Sequence, residues 1–151
     1  MAEPLLQIKG LCKSFGAVKA NNNLSLDVKR GEIHALIGPN GAGKTTLLNQ
    51  LAFLDQPSSG ELLFKSSAVM YDHGSLTRLR RQVVLVDQSP ILFSGSVWRN
   101  IEFGLKVRKI AKKERTRRIE HALERVTMTD FAQRDIHGLS GGEVKRVALA
   151  R

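Results

Sequence analysis

Two short segments carry residue types that suit phosphate. The first, Gly38-Pro39-Asn40-Gly41-Ala42-Gly43-Lys44-Thr45, fits the pattern G-x-x-x-x-G-K-[ST] without a gap. Glycines in such a loop allow positive φ and let backbone N–H groups approach phosphate oxygens with no Cβ in the way. The start of a following helix adds partial positive charge. Lys44 can reach the β- and γ-phosphates of a nucleoside triphosphate, and the Thr45 hydroxyl can ligate Mg²⁺. The plainer reading is a glycine-rich turn before an ordinary helix. Context disfavours it, because an apolar run (Glu32 to Ile37) precedes the loop and a leucine-faced segment (Lys44 to Leu54) follows it.

The second segment is Leu139-Ser140-Gly141-Gly142-Glu143, ahead of the helical run Val144 to Arg151. Ser140 is a good N-cap, and Glu143 three residues on completes a capping box. Two successive glycines at a helix start make another anion-accepting surface. One nucleotide on one chain has little use for both surfaces. The pair makes sense if the second serves a nucleotide held by another copy.

These segments need elements to position them. Leu5 to Phe15 and Leu24 to Val28 alternate roughly as strands, with Asn21-Asn22-Asn23 expected as the turn between them. Glu32 to Ile37 is expected as the strand entering the phosphate loop, with His34 packed inside it. Pro57 to Gly60 should end the helix that starts at Lys44, and Glu61 to Lys65 should begin another strand. Ser75 is expected to cap a short helix to Arg81, and Gln82 to Val86 to form an apolar strand breaking at Gln88-Ser89-Pro90. Ser96 to Val107, Ala111 to Val126 and Ser140 to Arg151 read as helices. The class is therefore α/β. His73, His121 and His137 read as surface or turn residues, since no spacing among the histidines suits a metal.

Composition narrows the classes. The chain has 151 residues, 42% apolar and 25% charged, enough for a core and unlike a disordered tail. The longest apolar runs, such as Val83 to Val86, hold four residues, whereas a spanning helix needs about 20. No secretory signal is visible in the first 25 residues. The single cysteine, Cys12, has no partner for an internal disulfide or a zinc site. The net charge of +10 is local: Lys106 to Arg118 holds eight basic residues and one acid, leaving +3 elsewhere. That run reads as the solvated face of an amphipathic helix whose apolar stripe is Ile119, Ala122, Leu123 and Val126. No aromatics interleave with it, so nucleic acid is not an expected partner.

With both segments in view, the sequence resembles the ATP-binding cassette family, and motif order and spacing agree across nearly the whole chain. Residues 38–46, including Pro39, Asn40, Ala42 and Thr46, look like its Walker A motif. Gln88 looks like its Q-loop glutamine, and Leu139 to Glu143 like its signature. Phe15 sits where the family places an aromatic that stacks on adenine. The resemblance implies a P-loop cassette: an antiparallel β subdomain plus a RecA-like core with a helical subdomain. The expected division is about 1–89, 90–137 and 138–151. It also implies ATP and Mg²⁺ as cofactors, with Thr45 and Gln88 at the metal and Gln88 sensing the attacking water. The implied partner is a second cassette, docked head-to-tail so that each ATP lies between Walker A of one copy and Ser140, Gly141, Gly142 and Glu143 of the other.

The family continues the signature helix into an apolar strand ending in Asp-Glu, followed by a switch histidine. Neither falls within these 151 residues, so the chain is expected to be incomplete at its C-terminus, either a partial sequence or a truncated product. That strand would lie beside the phosphate-loop strand, and its loss should expose backbone and apolar side chains. Glu143 replaces a commoner glutamine, and Asp87 stands where an apolar residue is usual. The resemblance implies an ATP-hydrolysing transporter subunit, peripheral on the cytoplasmic face of the membrane and served by separate permease subunits. A bacterial importer fits best, with a solute-binding protein and a small oxyanion or polar amino acid as cargo. The stretch 89–107, with Phe93, Trp98 and Phe103, would face the permease, and Phe103 is the one expected in the core. The alternatives are a soluble cassette protein of ribosomes or DNA, or a nucleotide-binding remnant without turnover. Lys44 and Leu139 are 95 positions apart with no sustained heptads between them, which argues against the coiled-coil DNA-repair type.

Overall fold

A computed structural model describes residues 3–151. The described residues divide into two compact units, 3–85 and 86–151, each with its own core.

The first unit is built on a four-stranded antiparallel sheet. Its strands are β1 (Leu6–Phe15), β2 (Val18–Val28), β3 (Ser59–Phe64) and β4 (Ser67–Ala68), in the order β2-β1-β3-β4. The β1–β2 turn falls at Gly16-Ala17, with Gly16 at φ 57°, and not at the asparagines. Asn21 to Asn23 lie within β2. There Asn22 and Asn23 oppose the single residue Cys12, a β-bulge with Asn23 at φ 53°. The turn-forming habit of asparagine is thus used inside a strand, because asparagine tolerates the left-handed region. One face of the sheet packs Ile8, Leu11, Leu62 and Phe64 against Leu47 and Phe53. Phe53 meets Phe64 edge to face at 5.6 Å. It sits at φ 60°, and the Arg80 guanidinium holds its carbonyl with Nε at 3.0 Å and Nη2 at 2.7 Å.

Helix α1 (Lys44–Leu51) begins the phosphate-loop arm and ends three residues short of the expected Leu54. Helix α2 (His73–Leu79) is capped by Asp72, whose carboxylate accepts from the Ser75 N–H at 2.9 Å. Ser75 is therefore the recipient of the cap and not the cap itself.

The expected strands Glu32 to Ile37 and Gln82 to Val86 do not form. Both runs lack a hydrogen-bonded ladder among the described residues, and Ile33, Ile37 and Val84 are 98%, 91% and 76% exposed. An apolar run becomes a strand only when a neighbour pairs its backbone. His34 is exposed rather than packed, with Nε2 3.0 Å from Glu32 Oε2.

The second unit is helical: α3 (Val97–Val107), α4 (Lys112–Arg125) and α5 (Gly141–Ala150), with 3₁₀ turns at Thr129–Phe131 and Ile136–Gly138. Val97, Ile101, Ile119, Leu123, Met128 and Val147 close its core. The basic run spans the end of α3, the turn after it and the exposed face of α4, with Arg115 turned inward onto Glu102. Arg117 and Arg118 bond Glu114 there, and these bonds, Arg117's first, pull its carboxyl down to about 2. Phe103 is half exposed and stacks on Phe93 at 4.7 Å, so it is not a core residue; Trp98 packs against the core.

Leu123→Ala should destabilise the helical unit by about 2–5 kcal/mol, since its side chain is fully enclosed. Leu149→Ala, at a position 64% exposed, should change it by less than about 0.5 kcal/mol. Denaturant unfolding of both variants checks the contrast.

Candidate functional site

Residues 38–43 fold as a tight loop rather than an extended linker. The Ala42 N–H donates to the Pro39 carbonyl at 3.2 Å, and Gly41 and Gly43 have φ of 83° and 81°. Gly43 is the N-cap of α1 and offers no side chain to the helix start. A Cβ on Gly43 would lie 2.1 Å from the Ala20 carbonyl oxygen and 2.6 Å from the Asn21 side-chain amide. Glycine is required there twice over, by dihedral and by space. Gly41 has open space around it, so only its dihedral demands glycine.

Lys44 curls back over this loop. Its Nζ donates to the carbonyls of Gly38 and Pro39, both at 2.7 Å. The ammonium therefore sits on the loop's own oxygens at the mouth of the turn. Thr45 is exposed and Thr46 half-buried in the first turn of α1. The arrangement suits a polyphosphate: unpaired helix-start N–H groups, a lysine at the rim and a hydroxyl beside it. The same residues fit Mg²⁺–ATP, with Thr45 able to offer the metal an oxygen ligand.

Phe15 ends β1, is 55% exposed, and has the Lys13 ammonium 5.1 Å from its ring centroid. An exposed aromatic at a strand end is available for stacking. Phe15 and residues 38–46 belong to the first unit; Gln88 and residues 140–143 belong to the second. Gln88 is exposed in the bend before Pro90, beside Asp87, whose carboxylate accepts from the Ser89 N–H at 3.1 Å. That bond gives Asp87 a local turn-forming role.

The second glycine-lined helix start is well formed. The Ser140 Oγ accepts from the Glu143 N–H at 3.4 Å, and Glu143 Oε2 accepts from the Ser140 N–H at 2.7 Å. These bonds, that from the Ser140 backbone first, hold the Glu143 carboxyl below its ordinary value of 4.5. Apart from the chain neighbours and the backbone of α5 itself, nothing lies within 4 Å of a Cβ placed on Gly141 or Gly142, and neither has positive φ. Glycine in a helix interior costs about 1 kcal/mol relative to alanine, and less in the first turn where these two lie. The fold of this chain gives no reason to accept that cost at two successive positions.

Residues 21–151 match the family model described as ABC transporter. The chain belongs to the ABC transporter family. Solved cassettes of the family share its fold. CbiO1 from Clostridium perfringens, described as part of the ABC transporter complex CbiONQ, is 32% identical with a TM-score of 0.92 over 98% of this chain. A dimer of the ATP-binding cassette MJ0796 bound to ADP and Pi in a post-hydrolysis state is 30% identical, with a TM-score of 0.80 over 96% of this chain. A second MJ0796 dimer, described as a bacterial ABC transporter cassette, is 29% identical with a TM-score of 0.84. The chain spans 60% of the length of the CbiO1 structure and 67% of each MJ0796 chain.

Two residues near the loop carry no site signal of their own in the sequence reading: Asn21, buried beside Gly43, and Gln50, buried against Asn21. A signal was present for Gln50. It lies on the stripe Leu47, Gln50, Leu51, Leu54, where a polar residue is out of pattern.

Two outcomes test this geometry. Gly43→Ala should disrupt the loop and abolish polyphosphate binding, while Gly41→Ala should weaken it less; calorimetric titration with tripolyphosphate distinguishes them. Because the folded pKa of Glu143 is depressed, its cap contributes fully above pH 4.5 and fades as pH falls through the folded value. The α5 end should therefore show faster amide exchange as pH drops below that point, after correction for intrinsic rates, and Glu143→Gln should remove this dependence.

Proposed function

We propose that the chain is the ATP-binding part of an ABC transporter subunit. In this reading residues 38–46 bind Mg²⁺–ATP on one copy, and Ser140 to Glu143 of a second copy close over the same nucleotide. The observation that carries it is the pair Gly141-Gly142: glycines that this chain's fold does not need, at a helix start with free N–H groups, suit a group brought from outside. The dimeric state of the MJ0796 cassettes supports the same arrangement.

Within such a site the residues divide the work. The loop N–H groups orient the phosphates, and Lys44 moves from the Gly38 and Pro39 carbonyls to the terminal phosphates. Thr45 with Gln88 would hold Mg²⁺, which supplies charge neutralisation at the transferred phosphoryl group. Phe15 would stack on the base. Hydrolysis belongs to the longer protein of this type, and its coupling to transport needs permease partners. That CbiO1 is part of the ABC transporter complex CbiONQ supports those partners. Exposed Ile91 and Phe93, with Val107, supply apolar contact area in the helical unit. Import of a small polar solute, delivered by a solute-binding protein, is the direction this reading takes, with the subunit peripheral on the cytoplasmic face.

Lys44→Ala should lower ATP affinity at least 100-fold, read by calorimetry. Ser140→Ala should keep ATP binding, at about 1 kcal/mol lower helix stability, but lose ATP-dependent dimerisation in light scattering. Dimerisation by Ser140→Ala and by a Gly141→Val, Gly142→Val double variant at the unsubstituted level would refute the shared-nucleotide arrangement.

A further inference from the structure

Asn21 is 4% exposed and Gln50 0%, and their amides lie 2.8 Å apart beneath the phosphate loop. Two backbone carbonyls also face Asn21: Ala20 at 2.9 Å and Gly43 at 3.2 Å. Acceptors cannot satisfy an amide oxygen, so the amide nitrogen of Asn21 is the end that points at them, and its oxygen faces Gln50. Gln50 turned to match brings its own nitrogen, which otherwise has no partner, to that oxygen. Buried amides this close to two carbonyls are costly unless the donors are used.

The consequence lies in the peptide between Gly43 and Lys44. A trans peptide is planar, with its C=O and N–H pointing opposite ways. Holding the Gly43 carbonyl on Asn21 therefore aims the Lys44 N–H away from β2, towards the hollow of the loop. The Gly43 oxygen also takes the first bond of α1, from the Leu47 N–H at 2.9 Å. We infer that Asn21 is a positioning residue for the phosphate loop, its side-chain amide fixing the Gly43–Lys44 peptide so that the Lys44 N–H points at phosphate, with Gln50 locking the Asn21 side chain. The role in ligand binding rests on the nucleotide reading above; the anchoring does not.

Three variants of the protein test this: Asn21→Leu, Gln50→Leu and the isosteric Asn21→Asp, each compared with the unsubstituted chain at a temperature where circular dichroism shows both folded. The probes are Mg²⁺–ATP and tripolyphosphate by calorimetry, and the backbone amide NMR resonances of Gly43 and Lys44 without ligand. Asn21→Leu should weaken both ligands about tenfold and broaden or double the two resonances. Gln50→Leu removes a comparable buried amide yet leaves the donor at Gly43, so it should lose about threefold or less. Asn21→Asp places a carboxylate against two carbonyls. Its affinity relative to the unsubstituted chain should recover as pH falls from about 8 to about 5 and the acid regains a proton to donate. Should Asn21→Leu fail to fold, this pH comparison decides the matter. Unchanged resonances and affinity in Asn21→Leu, or losses in both leucine variants that follow thermal stability alone, would overturn the assignment. If the unsubstituted chain binds neither ligand, the nucleotide reading fails, while the resonances still decide the anchor.

Discussion

The close approach of Gly43 to β2 is the contact on which the phosphate loop depends. Residues 31 to 42 are all exposed, and exposed backbone is ordered only where something holds its ends. Here one end is held. Gly43 rests against Ala20 with no room for a Cβ, Asn21 reaches its carbonyl, and α1 grows from it with Leu47 in the core. The remaining order is internal to the loop: one turn bond between Ala42 and Pro39, and Lys44 folded onto the carbonyls of Gly38 and Pro39. A rigid stem with a short, self-bonded crown suits a site that must wrap charge. Its donors stay aimed, and in the proposed function the lysine would exchange weak neutral acceptors for phosphate oxygens.

The signature segment is positioned differently. Its helix start is fixed by bonds within four residues, the reciprocal pair between Ser140 and Glu143, and by one deep anchor, Val147, a turn further on. Local capping of this kind makes the geometry of the first turn nearly independent of distant contacts. The loop ahead of α3 shows the same economy. Asn100, 1% exposed, accepts from the Phe93 N–H at 2.7 Å and donates to the carbonyls of Phe93 and Ser96, so one buried amide sets the path of four residues. The exposed Phe93 side chain is thus presented on an ordered backbone. The Arg151 guanidinium lies 4.6 Å from the Phe93 ring and donates to the Ile91 carbonyl at 3.0 Å.

How far the sequence discloses this follows from how local each feature is. Both glycine motifs, the capping box and the helices α3, α4 and α5 were legible, because caps and 3.6-residue stripes are written within one turn or a few. The strands Glu32 to Ile37 and Gln82 to Val86 were not safely legible. Composition can make a segment fit for a strand, but its pairing depends on a partner remote in sequence. Asn21 was read as a turn residue for the same reason. Its side chain is used as a buried donor by a loop more than 20 positions away, and nothing beside it in the sequence says so. His34 and Phe103 show the reverse error: an apolar neighbourhood in sequence was taken for an apolar neighbourhood in space.

The glycines separate what the chain needs for itself from what it offers to something else. At Gly43 and Gly60 a Cβ would strike backbone, 2.1 Å from Ala20 and 2.4 Å from Gly10, and both have positive φ. Their identity is explained by folding alone, whether or not any ligand exists. Gly141 and Gly142 have ordinary helical φ and empty surroundings, so folding would favour alanine. Gly104 inside α3 shares both features, so what sets the other two apart is their place at a helix start. Bare backbone at a helix start admits an anion, and the chain's own phosphate loop already has one such surface. In the proposed arrangement a second molecule approaches the signature helix, and these two glycines support that shared site more directly than the phosphate loop does.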